Sequence, residues 1–202
     1  MSDRKSQRTN MRGAVNAIDS TLSDVLEFGV WKGESLQFIV KSLQEKYGGA
    51  NPHRVCGFDT FVGLPHSWIS KEGRFLAGPG AFNLGGITPH IPEAEFFVGE
   101  FKNTLPQYFP SAQDIALLHI DSDLYSSATI VLEVLESRIV ENTIIVFDEW
   151  IYCHNNHFDD CEKQAFEEWV ERHDREFEFL DFINKTFDDG GHVEQRTVRI
   201  LK

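Results

Sequence analysis

Apolar residues fall along the chain in short runs, separated by stretches where they recur every three or four positions. Val25-Leu26-Glu27-Phe28 is the first run; it breaks at Gly29 and Gly33, and Leu36, Phe38, Ile39, Val40 and Leu43 follow at helical spacing. This predicts a strand over about 24–28, a glycine turn, and a helix over about 35–47 stopped by Gly48-Gly49. A second strand, Arg54 to Phe58, ends at Asp59, and Phe96-Phe97-Val98 makes a third. Ile115 to Ile120 is almost wholly apolar, as a parallel strand covered on both faces should be. A helix over about 128–138 leads to a fifth strand, 143–147, which ends in Asp148-Glu149-Trp150. Cys161, Ala165, Phe166, Trp169 and Val170 form the apolar stripe of a helix over about 159–173. Phe177 to Ile183 and Val193 to Leu201 read as closing strands around an Asp188-Asp189-Gly190-Gly191 turn, hence antiparallel. Strands that alternate with helices and then close in a hairpin predict an α/β fold with a mostly parallel sheet.

Two stretches escape the pattern. Residues 1–12 are polar and partly basic, and are expected to be disordered, with a short helix over 15–22. The segment 60–95 is rich in glycine and proline yet carries Trp68, Phe75 and Phe82, which favours a folded flap over a linker. It is expected to face a substrate as a lid over about 64–95, with His66, Trp68, Arg74 and His90 as candidate contacts.

With 202 residues, 41% of them hydrophobic, the chain suits one α/β domain. Its net charge of −13 argues against nucleic acid as a partner, because phosphate binding needs a basic face. Cys56, Cys153 and Cys161 have no metal-like spacing and read as reduced thiols, in keeping with a cytoplasmic protein. No apolar run is long enough for a membrane span, and the polar N-terminus lacks a secretory core.

The chemistry concentrates where the strands end. Ligands of open parallel sheets sit outside the carboxyl ends of the strands. Four predicted strands finish there in Gly29–Gly33, Asp59, Asp121 with Asp123, and Asp148 with Glu149. The turn Glu27-x-Gly29-x-x-x-Gly33 lacks the middle glycine of a dinucleotide fingerprint, which disfavours a nicotinamide enzyme. Gly29 allows a sharp turn, Gly33 close approach of a ligand, and Ser35 can cap the helix. Asp59 stands where a ribose diol is gripped. Carboxylates on neighbouring strand ends repel, and a divalent cation such as Mg²⁺ would relieve that. Helix capping by Asp123, Ser126 or Ser127, with Asp148 as a turn acid, is the alternative.

Taken together, LEFGVWKGES at 26–35, GFDTFVGLP at 57–65, VGEF at 98–101, HIDSDLYSS at 119–127 and IVFDEW at 145–150 resemble class I S-adenosylmethionine-dependent methyltransferases of the macrocin O-methyltransferase type. The resemblance runs from about residue 25 to the C-terminus. It implies a Rossmann-like seven-stranded sheet with one reversed strand in the last-but-one position, and helices on both faces. Residues 1–23 would be an N-terminal extension and 24–202 the methyltransferase domain. Glu27, Gly29 and Ser35 would lie along the methionine part of the cofactor, with Phe28, Gly33 and Gly99 beside it. Asp59 would take the ribose hydroxyls, with Thr60 and Phe61 near the nucleoside, and Asp121 would also touch the cofactor. Asp121, Asp148 and Glu149 match the family's divalent-metal acids, with Mg²⁺ the expected ion. Asp121 also falls on the proposed general base, but a metal-bound carboxylate is a poor base, so His119 and Asp123 are candidates too. Leu124 occupies the position of the lysine base of catechol-type relatives, which disfavours that mechanism. The implied activity is O-methylation of a small hydroxylated metabolite, a sugar or natural product, with room for a homodimer. A catalytically silent relative that binds the cofactor or a protein partner is the alternative.

Overall fold

The computed structural model describes residues 2–19, 21–70, 72–154, 157–186 and 191–202. In chain order the elements are α1 (Ser2–Ala17), β1 (Asp24–Phe28), α2 (Glu34–Lys46), β2 (Arg54–Asp59), β3 (Trp68–Ile69), β4 (Phe75–Ala77) and β5 (Ala94–Val98). They continue with α3 (Phe101–Tyr108), β6 (Ile115–Ile120), α4 (Tyr125–Leu135), β7 (Ile144–His154), β8 (His157–Asp159), α5 (Cys161–His173), β9 (Phe177–Thr186) and β10 (His192–Ile200). The main sheet runs β5-β2-β1-β6-β7-β10-β9, with β8 beside β7. Neighbours from β5 to β7 are parallel. β10 is antiparallel to both β7 and β9, so the reversed strand lies last but one, as expected. No helix among the described residues is long and apolar enough to cross a membrane.

Every residue of β1 and β6 is buried, because helices cover both faces of the sheet. On one face Phe28 stacks on Phe58 with ring centroids 4.3 Å apart, and Phe58 on Phe97 at 4.8 Å, across three adjacent strands. Leu105, Val131, Leu132, Phe166 and Trp169, from α3, α4 and α5, complete that core. On the other face Leu36, Ile39, Val40 and Leu43 of α2 bury the stripe their spacing predicts, beside Val25 and Val55.

Three local expectations fail. Residues 2–17 form a helix where disorder was expected over 1–12. The reason lies at its far end, where Met11, Ala14, Val15 and Ile18 are buried with the α2 side of the core. Lys46 then closes the last turn, its Nζ donating to the carbonyls of Val15 at 3.0 Å and Ile18 at 2.9 Å. Second, the fifth parallel strand does not stop at Phe147. Pairing with β10 on one edge and β8 beyond carries β7 on to His154, so Asp148 and Glu149 lie inside a strand. Third, α4 starts at Tyr125, behind Leu124 and without a side-chain cap, so the capping alternative for Asp123, Ser126 and Ser127 does not hold. Of the expected closing turn, Asp188, Asp189 and Gly190 lie outside the described residues.

The glycine-rich segment is folded rather than strung out. Leu64 and Ala81 pair through Leu64 N–H at 3.0 Å, and Leu84 and Gly86 both donate to the Phe61 carbonyl. β3 and β4 make a short hairpin within it. Trp68 is buried and ties the hairpin to the domain by donating its indole N–H to Asp159 at 2.5 Å. It is therefore an anchor of the segment rather than a substrate contact.

Candidate functional site

A cavity of about 440 Å³ opens at the carboxyl ends of β1, β2 and β6, beside Asp148 and Glu149 within β7. Its wall includes Gly29, Val30, Trp31, Ser35, Asp59, Thr60, His119, Asp121, Asp123, Asp148, Glu149 and Gln195. Leu64, Pro65 and Phe82 reach it from the glycine-rich segment, and Arg8 and Met11 from α1.

The floor is the turn after β1. Gly29 has φ of 90°, and a Cβ there would sit 1.7 Å from the Asp121 carbonyl oxygen. Glycine is thus required because the ends of β1 and β6 touch. Asp121 N–H donates to the Phe28 carbonyl at 2.9 Å in the same place. Gly33 has another use. A Cβ on it would meet Ile91 Cδ1 at 2.9 Å and Pro89 at 3.0 Å, so it accommodates the glycine-rich segment rather than a ligand. Ser35 does not cap α2, whose N-cap is Gly33; its hydroxyl donates to Glu27 at 3.1 Å.

Asp59 is largely engaged by backbone. Its Oδ2 accepts from Val30 and Trp31 N–H, both at 2.8 Å, and Oδ1 accepts from Phe61 N–H at 2.8 Å. The carboxylate therefore holds the glycine turn in shape, and one lone pair on Oδ1 remains to accept a ligand hydroxyl. Thr60 lines the cavity, while its hydroxyl donates to the Gly63 carbonyl at 2.9 Å. Glu27, Phe28, Gly33, Phe61 and Gly99 are not on the wall. Phe28 and Phe61 are buried in the two cores, and Gly99 donates its N–H to the Asp59 carbonyl at 2.9 Å.

The charged centre lies between β6 and β7. Glu27 is fully buried and accepts from His119 Nδ1 at 2.9 Å, which fixes the imidazole. Among the described residues His119 Nε2 has no hydrogen-bond partner, and it lies 3.9 Å from Asp148 Oδ1. His119, Asp121 and Asp148 each present one ligand atom within 4.8 Å of the others. Burial lowers the tendency of His119 to protonate, but the nearby carboxylate of Asp148 and the hydrogen-bonded carboxylate of Glu27 outweigh it and hold its pKa well above the usual range. Burial, and then repulsion from Asp148, push Asp121 and Glu149 well up. Asp123 rises to about 7 for the same two reasons.

Consecutive strand residues normally face opposite sides of a sheet, yet Asp148 and Glu149 both reach the cavity. The register explains it. Phe147 pairs with Arg196 and Ile151 with Glu194, so Asp148, Glu149 and Trp150 together face the single residue Gln195. This bulge re-aims the side chains. Gln195 donates to Asp148 Oδ1 across it.

Sequence reasoning missed Gln195 and Glu162. Gln195 lies on the reversed strand, which carries no strand-end signal. Glu162 belongs to the charged face of a helix by pattern, yet is fully buried. The departure of Glu162 from the exposed positions around it becomes visible only once α5 packs on β7.

Residues 26–150 match the family model described as a methyltransferase domain. A rhamnosyl-tetracenomycin 4′-O-methyltransferase from Streptomyces olivaceus is 30% identical over 149 residues, which are 65% of this chain and 54% of that protein. The chain thus spans about half the length of this curated relative. A crystal structure of a calicheamicin methyltransferase superposes with TM-score 0.65 at 21% identity, covering 96% of this chain and 79% of that one. The tomaymycin-synthesis O-methyltransferase from Streptomyces achromogenes, solved in complex with S-adenosylmethionine, gives TM-score 0.57 at 12% identity, covering 97% and 80%. At these identities the structural likeness speaks for the fold.

Proposed function

The chain belongs to the methyltransferase-domain family, and on that footing we propose that it is an S-adenosylmethionine-dependent, divalent-cation-assisted O-methyltransferase acting on a hydroxyl of a small sugar or natural product. The observation that carries this reading is the grouping of His119, Asp121 and Asp148 within 4.8 Å beside a cavity floored by the Gly29 turn.

The residues fit both the cofactor and a cation. The cavity volume lies in the range of small-molecule sites. Gly29, Ser35, Asp59, Thr60 and Asp121 would line the cofactor, with Glu27 acting through Ser35 and His119. For the cation, His119 Nε2 and the carboxylates of Asp121 and Asp148 converge, while Glu149, on the same cavity wall but outside that group, has an Oε2 without a partner among the described residues. In metal sites a ligating imidazole commonly donates its other nitrogen to a carboxylate, which fixes the ring, as Glu27 does for His119. When bound, the sulfonium would supply an electrophilic methyl group, and the cation would ease ionisation of a nearby hydroxyl.

The chain's own residues then do the positioning. Without a cation, protonated His119 offsets the crowded acids. Asp123, with a pKa of about 7, is better poised to take the acceptor's proton at neutral pH than the two acids nearest the cation. Trp31 and Phe82, in edge contact at 5.9 Å, flank the mouth and would exclude water from a seated acceptor.

The test is calorimetric titration of S-adenosylhomocysteine, with and without Mg²⁺ or Mn²⁺, followed by methyl transfer to hydroxylated sugars. Expected are cofactor binding in both conditions and transfer that a chelator suppresses. Absence of cofactor binding in both would favour a catalytically silent scaffold. Transfer that survives both a chelator and Asp148→Asn would remove the cation from the reading.

A further inference from the structure

We propose that Glu162 is a positioning residue that bolts the end of β6 to the bulge of β7 and so sets the spacing of Asp121 and Asp148. The proposal rests on the functional reading above for what those two acids do, but its geometry stands apart from it.

Glu162 is the second residue of α5 and is completely buried. Its two carboxylate oxygens are used separately. Oε1 accepts from Ser122 N–H at 3.1 Å, and Oε2 accepts from Glu149 N–H at 3.1 Å. Each donor belongs to the residue directly after one of the two acids. Both come from backbone the sheet leaves short of partners. Ser122 lies just past the end of β6, and Glu149 lies in the β7 bulge, where three residues face one. A buried backbone N–H needs an acceptor, and here one side chain serves two. Asp121 and Asp148 each bring a carboxylate oxygen to within 4.8 Å of the other, and like charges that close repel, so backbone left free at these two points would drift apart. A carboxylate spanning both amides resists that drift from behind, without touching the cavity, whose wall does not include it.

A neutral polar side chain would not do the same. In Glu162→Gln the shape is kept, but one end becomes an NH₂ that faces an N–H donor, so one of the two bonds is lost. The nearby acid then moves while α5 stays in place.

The experiment is Mn²⁺ binding by calorimetry to the whole protein, to Glu162→Gln and to Trp169→Phe. Trp169 is a buried core residue of the same helix, away from the acids, and controls for general loosening. Affinity for S-adenosylhomocysteine is measured alongside. Expected is a loss of Mn²⁺ affinity of about tenfold or more in Glu162→Gln, cofactor affinity within roughly twofold, and unchanged Mn²⁺ affinity in Trp169→Phe. Mn²⁺ affinity equal to the parent's in Glu162→Gln, or an equal loss in both variants, overturns the proposal. If the parent itself binds no Mn²⁺, the cation reading fails, and the clamp is decided by the crystal structure of Glu162→Gln. An Asp121–Asp148 separation altered by about 1 Å supports it, a displacement of the size that matters in a catalytic constellation; an unaltered separation overturns it.

Discussion

The two glycines of the turn after β1 should respond differently to the same substitution. In Gly29→Ala the new Cβ would lie 1.7 Å from the Asp121 carbonyl oxygen and 2.7 Å from its carbon, both backbone atoms of a buried strand end. Neither can rotate away, so β1 and β6 must separate where they carry the site. The positive φ adds about 1–2 kcal/mol for any residue with a Cβ, and overpacking a tight contact adds about 1–3 kcal/mol. For a chain of this size each kcal/mol lowers Tm by about 2–4 °C, so Gly29→Ala should melt roughly 5–20 °C early. In Gly33→Ala the nearest atom is the tip of a side chain, Ile91 Cδ1 at 2.9 Å, which can move. There the φ cost of about 1–2 kcal/mol dominates, and the drop should be roughly 2–8 °C. The assay is thermal unfolding with and without saturating S-adenosylhomocysteine. The ligand should stabilise Gly33→Ala and fail to stabilise Gly29→Ala, because only the latter displaces Asp121. If Gly29→Ala melts no earlier than Gly33→Ala and is stabilised equally by the ligand, the contact between the strand ends does not organise the site.

Three further outcomes follow from the geometry. Asp123 sits at φ 60° in a tight turn closed by Leu124 N–H to the Ser122 carbonyl at 2.6 Å. Asparagine tolerates this backbone, so Asp123→Asn should keep Tm but lose on the order of 10²-fold or more in turnover, the scale of a lost general base; undiminished turnover would assign the base elsewhere. Trp68→Phe removes the buried indole donor to Asp159 and should cost about 1–3 kcal/mol, with hydrogen exchange rising across 64–80; unchanged exchange there would show that Trp68 does not anchor the hairpin. The pH dependence has a definite sign. Asp121, Asp123 and Glu149 are raised in the fold, Asp123 to about 7 from 3.8. Groups raised in this way add stability that is full below their unfolded pKa and is lost as pH climbs through the folded value. The protein without added cations should therefore melt higher at pH 5 than at pH 8.5, and Mn²⁺ should narrow the gap; a melting point that rises over that interval contradicts the assignment of buried, protonated acids.

Sequence alone determined the framework. Strand and helix periodicity, with glycine after the first strand and acids after the second and fourth, was enough for a mostly parallel sheet and for Gly29, Asp59, Asp121 and Asp123 to be placed at one edge of it. That succeeded because burial on two faces writes an apolar run into the chain, and because a crossover to a parallel neighbour leaves its turn at the carboxyl end. The tertiary structure decided how those residues are used. Asp59 proved to be held by the amides of Val30 and Trp31, 29 and 28 residues away, as well as by that of nearby Phe61, and Gly33 to serve packing against Pro89 and Ile91; partners so distant in sequence leave no local trace. The N-terminal helix depends on a stripe that becomes apolar only near its end and is stabilised by Lys46, distant in sequence. Above all, the joint presence of Asp148 and Glu149 at the cavity depends on a bulge opposite Gln195, and the hold of Glu162 on that bulge and on the end of β6 depends on how α5 packs. Register and packing are properties of pairs of segments, and one segment's pattern cannot encode them.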